Sequence, residues 1–538
     1  MASNERLDSW KEIASYLDRD VRTVIRWEKE RGLPVHRVPG AKGHGVFAIS
    51  SEVDTWLHSG PAPSKLPAVA ILPLLHPEFP EHEYICDGLS QSIISIMSRI
   101  PQLRVMAWST VSRHRAAPVD ARQVGRELNV DAVATGHVSR RNSFWLTTIE
   151  LVNTSDGTQR WSKQFTLPML DLQLLPGQIV TEILKAMGVG LEPEEERRLA
   201  PRLVRSAGAY DSFLRGRYHS SRYSHEDFLN AIQCFEEAIA MEPTFAQAHA
   251  EMAWCYTMLG IGYGDRPPRE VLTKADAAAR RAIDLDEMVG EAHAALAVAS
   301  TYHGWDWQFV EKELRRAIEL SPSYSTAHTA YGVLLNCIGR YEEGIEELEW
   351  ATELDHATLT LSGDLPFHLA LLGRTEEALR IVQEKMMGPN QCVGTSHYVL
   401  GVLYERQGKY AEAAAELEKA VNLNLLHTIP LGVLGYVYAV SGERNKALGV
   451  IAQLDELAQQ RPVSHFTKAI VLSGLGDNSS ALECLERSYD ERSPFLYMLN
   501  VLPWFDTLRS ESRFADLVRR VGLPVIPNRD MHEKEVVS

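Results

Sequence analysis

Residues 401–420, GVLYERQGKYAEAAAELEKA, carry Gly401, Tyr404, Ala413, Leu417 and Ala420. Steps of three, four and seven residues put side chains on one face of a helix. Gly401, a small residue twelve positions before Ala413, marks a preceding helix, so the stretch encodes a helical hairpin. Small residues are wanted where two helices cross closely, and the larger apolar residue beside them fills the groove.

The same pattern extends along most of the chain. The position of Ala413 recurs as Ala231, Ala275, Val310, Gly344, Ala378, Ala413, Ala447 and Ala481, at spacings of 44, 35, 34, 34, 35, 34 and 34 residues. Four residues later stand Phe235, Ala279, Leu314, Leu348, Val382, Leu417, Ile451 and Leu485, and three beyond these come Ala238, Ala282, Ala317, Ala351 and Ala420. Twelve positions upstream, Gly332, Gly401, Gly435 and Ala469 are each followed three later by Leu335, Tyr404, Tyr438 and Leu472. A sustained period of this kind marks a helical repeat array, whose business is binding and not catalysis.

Over residues 207–520 the pattern resembles the tetratricopeptide repeat, with Pro243 and Pro322 in the place that closes a unit. The marked positions themselves are core packing. Function in such arrays lies on the concave faces, so no partner-binding residue is assigned from sequence. The insertion Gly260 to Pro268, with Tyr263 and two prolines, interrupts the regularity as a loop. Residues 493–524 lose the spacing, keep an amphipathic pattern and read as a capping segment over the last unit.

A chain of 538 residues with 45% apolar and 23% charged side chains implies several domains of ordinary globular composition. No run approaches eighteen apolar residues and the N-terminus is polar, MASNERLDSWKE, so neither membrane span nor signal peptide is expected. The expected location is cytoplasmic. Cys86, Cys234, Cys255, Cys337, Cys392 and Cys484 lack close pairs and read as reduced core thiols. The net charge of −16 sits almost wholly after residue 200, where the balance is −15. An acidic array repels nucleic acid, which leaves the N-terminal segment as the only plausible site for it.

From Arg19 to His44, seven basic residues face Asp20, Glu28 and Glu30, a local excess of four positive charges that suits a phosphate backbone. Ser9 is placed to cap a helix bearing Trp10, Ile13, Ala14 and Leu17, and a second helix follows from Val21 to about Arg31. Leu33 to Ile49 reads as two short strands around a glycine-rich tip, and Ser51 to Leu57 as a closing helix that buries Val53, Trp56 and Leu57. Across residues 6–58 this resembles the excisionase and MerR-type winged helix-turn-helix family. The resemblance implies that Arg19, Arg22, Thr23, Arg26 and Lys29 serve a recognition helix in double-stranded DNA, with Arg37, Lys42 and His44 on the wing. Glu28 and Glu30 beside that face weaken binding by one copy, so a homodimer or another partner is the expected supplement.

Residues 59–66 form a proline-rich linker. Beyond it, AVAILPL, the helix DGLSQSIISIMSRI and GRELNVDAVATGHV begin a small mixed sheet, completed by strands FWLTTIELVN and QRWSKQFTL. These residues resemble the TolB N-terminal-like domain of bacterial regulators, across 67–195. His76, Asp87 and His137 read as capping or surface residues. No Walker loop, HExxH, GxSxG, GxGxxG or cyclase-like carboxylate pair occurs, so no enzyme, cofactor or metal site is expected.

The expected fold class is multidomain and mainly α. It comprises a winged helix-turn-helix (1–58), a linker (59–66), a small α/β domain (67–195), an α-helical tetratricopeptide superhelix (207–492) and a C-terminal cap (493–524). The expected function is a DNA-binding transcriptional regulator whose array binds a protein or peptide that modulates DNA occupancy. The alternative is a protein-interaction scaffold that does not bind DNA.

Overall fold

A computed structural model of the chain describes residues 6–17, 21, 24, 28, 33–37, 46–53, 66–76, 82–115, 120–199, 204–263, 267–357, 363–386, 393–423 and 428–524. Strands β1 (Arg6–Leu7), β2 (His36–Arg37) and β3 (Val46–Ile49) form an antiparallel sheet in the order β1-β3-β2. Helix α1 (Trp10–Tyr16) starts at Ser9, whose hydroxyl accepts from the Glu12 amide at 3.1 Å. Leu7, Ile13, Ala14, Val24, Leu33, Val46, Ala48 and Val53 make one small core.

The next unit comprises β4 (Ala68–Ile71), α2 (Glu83–Met97), β5 (Arg104–Val105), α3 (Trp108–Val111), α4 (Ala121–Leu128), β6 (Ala132–Arg141), β7 (Phe144–Asn153), β8 (Gln159–Pro168), α5 (Leu175–Met187) and α6 (Pro193–Leu199). Its sheet runs β5-β4-β6-β7-β8, with β4 parallel to β5 and β6 and the remaining pairs antiparallel. Every residue of β4 is buried, which is why its sequence is an unbroken apolar run. Asn142 and Gly157, at φ of 55° and 77°, turn the two hairpins.

Paired helices fill the rest: α7 (Ala207–Ser220) with α8 (His225–Met241), α9 (Ala246–Met258) with α10 (Pro268–Leu285), α11 (Gly290–His303) with α12 (Trp307–Leu320), and α13 (Ser325–Cys337) with α14 (Tyr341–Leu354). They continue as α15 (Asp364–Leu371) with α16 (Thr375–Ile381), α17 (Val393–Arg406) with α18 (Tyr410–Asn422), α19 (Ile429–Val440) with α20 (Arg444–Ala458), and α21 (His465–Gly474) with α22 (Asn478–Asp490). The marked residues Ala231, Ala275, Val310, Ala378, Ala413, Ala447 and Ala481 lie in the second helices and are each 0% exposed. A side chain at Gly332 would meet the Gly344 carbonyl at 2.7 Å, and one at Gly401 would meet Leu417 at 2.5 Å, so backbones touch at these crossings.

A second periodic device sits in the turns. Gly339, Gly373, Gly408, Gly442 and Gly476 all have positive φ, and the residue after each donates its amide to a carbonyl five positions back, as Arg340 does to Leu335 at 2.8 Å. This is the Schellman cap. The first part of the insertion expected to be a loop instead continues α9 as a wide helical turn over Leu259–Tyr263, and residues 264–266 lie outside the described residues.

The C-terminal segment comprises short turns at Leu496–Met498 and Pro503–Leu508 and a helix α23 (Ser512–Arg520). It packs on the last pair and also reaches back: the Trp307 indole donates to the Val521 carbonyl at 3.0 Å, and Asn500 donates to the Cys337 carbonyl at 3.3 Å. One hydrophobic cluster runs from Ala68 to Val271, shared by the α/β unit and the first helix pairs, and a second from Trp305 to Leu523.

Two glycines separate close packing from helix propensity. Gly332→Ala is expected to lower the unfolding free energy by about 1–3 kcal/mol, because the facing carbonyl cannot retreat. Gly449, in α20 with nothing near its missing side chain, should instead gain up to about 1 kcal/mol on replacement by alanine. Chemical denaturation of both variants checks the opposite signs.

Candidate interaction surface

Among the residues expected to meet DNA, Arg19, Arg22, Thr23, Arg26, Lys29, Lys42 and His44 lie outside the described residues, as do residues 59–65 of the linker and Trp56. Arg37 is described. It sits on β2, 57% exposed at its side chain, and donates to Glu28 at 3.1 Å while its guanidinium lies 5.7 Å from the Trp10 ring centre. Its charge is therefore shared with the acidic residue that the sequence placed beside the basic face. The hairpin is braced by His36, which bonds Glu52 at 2.6 Å and stacks on Phe47.

The Asp87 expectation is corrected. Asp87 lies within α2, 3% exposed, and accepts from Arg115 at 2.7 Å, while the same guanidinium holds Glu83 at 2.6 Å. Burial pushes its carboxyl up, against the pull of Arg115. His137, inside β6 where it pairs with Thr148 and bridges to Leu75, is exposed, in line with the surface reading. The described cysteines are free thiols, as expected, and burial raises that of Cys86 to about 12, far from a reactive thiolate. Cys234 and Cys484 are half-buried, since each lies at the margin of a helix face and not at its centre.

The first helices of the pairs carry the face that faces a ligand in a repeat superhelix. Here part of that face meets the chain's own α/β unit. Helix α2 turns its apolar side, Ile85, Leu89 and Ile93, into the core, and its small polar side towards the array. A side chain at Gly88 would meet Leu214 of α7 at 2.6 Å. Gln91 accepts from Arg217 at 3.3 Å, and Ser95 donates to Glu291 of α11 at 2.5 Å. Arg217 also pairs with Glu251 of α9 at 3.3 Å, so one guanidinium joins the Gln91 amide to a carboxylate of the array. Burial, with Glu291 adding repulsion, raises the Glu251 carboxyl despite Arg217.

A repeated histidine, which the sequence analysis passed over, joins the two helices of three pairs and in two of them ties the pair to the turn before it. His293 and His328 bond the carboxylates of Glu313 and Glu347, both at 2.6 Å, and His397 bonds Glu416 in the same way. On the other ring nitrogen, His293 and His328 meet the carbonyls of Glu287 and Pro322, at 3.0 and 2.9 Å. The signal was available: each histidine stands four residues ahead of the small residue of its first helix, at the repeat spacing.

Farther along, Glu405 at the end of α17 is raised to about 7 by burial and by Asp506, with Arg406 opposing. One of its oxygens is buried without a hydrogen-bond partner among the described residues. Tyr436 of the next first helix titrates upward for the same reasons, burial first and Glu405 next.

The tetratricopeptide repeat family model matches residues 394–425, the span of α17 and α18. That one helix pair, α17 with α18, is thus similar to a tetratricopeptide repeat. A curated relative, Putative adenylate cyclase 3 of Rhizobium meliloti (strain 1021), is 28% identical over 237 residues, which is 44% of this chain and 40% of the relative. The chain thus spans less than half the length of that relative. Among solved structures, yeast Tom70 is 14% identical over 65% of this chain and 82% of its own, with a TM-score of 0.36. The APC/C hetero-tetramer Cut9-Hcn1 is 15% identical over 65% and 76%, at 0.37, and MamA is 16% identical over 40% and 92%, at 0.22. Among the described residues no helix is long and apolar enough to cross a membrane.

The raised Glu405 carboxyl has a definite pH signature. In the unfolded chain it ionises near pH 4.3, and in the folded chain near 7. Its contribution is therefore favourable at low pH and is lost as pH rises through that window. Glu405→Gln should remove this slope and raise stability at pH 8 by up to about 3 kcal/mol. Denaturation of parent and variant from pH 4 to 8 tests it; equal slopes would sink the assignment.

Proposed function

We propose that the chain is a protein-interaction scaffold built on its repeat array. The observation that carries this reading is the unbroken succession of helix pairs from α7 to α22, closed by a fitted C-terminal segment. Stacked repeats of this kind are stabilised by neighbour contacts and leave extended faces free for a partner. The balance of −15 after residue 200 favours a partner with a basic surface. Part of the inner face already holds the chain's own α2, so the partner is expected on the remaining faces or in exchange for that contact. Crosslinking mass spectrometry on the tagged full chain in its native host should return a recurrent partner joined within residues 207–492. Recovery should fall as salt rises. Crosslinks confined to residues 67–195 would overturn the assignment to the array.

A second reading adds DNA. It is favoured by the hairpin of β2 and β3 packed on a helix start at α1, together with the local excess of four positive charges from Arg19 to His44. In this reading the N-terminal segment binds double-stranded DNA and the array's partner shifts its occupancy by its differential affinity for two arrangements. Chromatin immunoprecipitation with the parent and an Arg22→Ala, Arg26→Ala variant decides it. Discrete peaks lost in the variant support a regulator, and no peaks with protein present leave the scaffold alone. The activity in the relative's name is not carried over, since no carboxylate pair in a cyclase-like context occurs in this sequence.

A further inference from the structure

The two large hydrophobic clusters are separated by a stretch with little cohesion. Between them, the helices from α9 on pack in part through small groups: Ala246, Ala250, Ala282, Val289 and Ala292 in one, Ala253, Ala278, Ala279, Ala295 and Leu296 in the next, and Ala294, Ala317 and Ala327 in a third, whereas α11 to α13 also hold a larger group with Val310, Leu314, Tyr331, Leu334 and Leu335. Hydrophobic stabilisation scales with the apolar area removed from water, and alanine buries little of it.

That stretch is bridged by a polar tie between elements far apart in sequence. Ser109 and Thr110 of α3 donate to Asp355, which follows α14, with Thr110 at 2.7 Å. The Ala357 amide closes the same carboxylate at 3.0 Å. Beside it, the Ala107 amide donates to the Leu354 carbonyl at 2.9 Å and the buried Arg104 to the Glu353 carbonyl at 3.2 Å. Ser323, after α12, receives the Val105 amide at 3.2 Å and donates to the Leu103 carbonyl at 3.1 Å. The α/β unit is welded to the first pairs by a common apolar core, whereas its described hold on these later turns is made of hydrogen bonds.

We infer that residues 103–110 and the turns at Ser323 and Asp355 form a latch that holds the superhelix closed across its alanine-packed segment. With the latch open, the two apolar bodies stay intact and the alanine-packed contacts of α9 to α11 open between them. Hydrogen bonds suit such a device because each is replaced by water on opening, so the net difference per bond is small.

The test uses the full chain with Asp355→Ala, followed by hydrogen exchange and small-angle scattering. The expected result is exchange accelerated about tenfold or more, equivalent to about 1.4 kcal/mol, at residues 103–110, 321–325 and 353–357. The radius of gyration should rise, with unchanged helical circular dichroism and unchanged exchange in α19 to α22. Unaltered exchange and size would overturn the latch, as would acceleration spread evenly through α19 to α22. Should Asp355→Ala lose its helical signal, Ser323→Ala decides, since it removes two of the bonds without stranding a charge. Faster exchange confined to residues 103–107 and 321–325 supports the latch, and none refutes it.

Discussion

The architecture rests on how closely two helices of a pair approach. At Gly332 and Gly344 each backbone lies where the other's side chain would begin, and a methyl group on either would collide with a carbonyl oxygen. The second-helix alanines recur at this crossing with no exposure to solvent, and the larger residue four positions on fills the flank. The glycine-capped turns keep the pairs short and alike. Repetition of that one geometry is what bends the stack into a superhelix.

A superhelix that long can touch itself, and this one does so at both edges. Its early pairs share an apolar core with the α/β unit. Its C-terminal segment returns to α11, α12 and Cys337, where Trp305 packs on Tyr489 with ring centres 5.0 Å apart and lies under the Arg492 guanidinium at 4.2 Å. Trp305 adopts a φ of 60°, unusual for a tryptophan, in a turn where later pairs use glycine. The exchange of glycine for tryptophan at that turn gives up an easy cap for a long-range contact. The array is thus less a free binding rod than a scaffold part of whose inner face is engaged with its own chain.

Much of the chemistry inside these contacts is electrostatic compromise. Glu251 pairs with Arg217 but has Glu291 near it, and Glu405 has Asp506 near it, so the Glu251 and Glu405 carboxyls are held above their ordinary range, first by burial and then by a like charge. Asp355 is pushed the same way by burial, although Ser109, Thr110 and the Ala357 amide oppose it. Polar groups inside repeat arrays specify which surfaces meet, at the cost of net stability.

The helical pairs, their order and the buried identity of the positions at Ala231 through Ala481 were legible in the sequence, because a period of about 34 residues survives any tertiary context. The mixed sheet was legible too, since β4 is apolar throughout and the later strands alternate. The polar side of α2 gave no such sign: Gly88, Gln91 and Ser95 look like a solvated face until α7 and α11 are placed against them. Asp87 misled for the same reason, as its burial depends on Arg115, 28 positions away. Local periodicity is a property of neighbouring residues and can be read from them. Which faces of the array are covered depends on contacts between residues 100 to 250 apart, such as Thr110 with Asp355, and only the assembled superhelix brings those together.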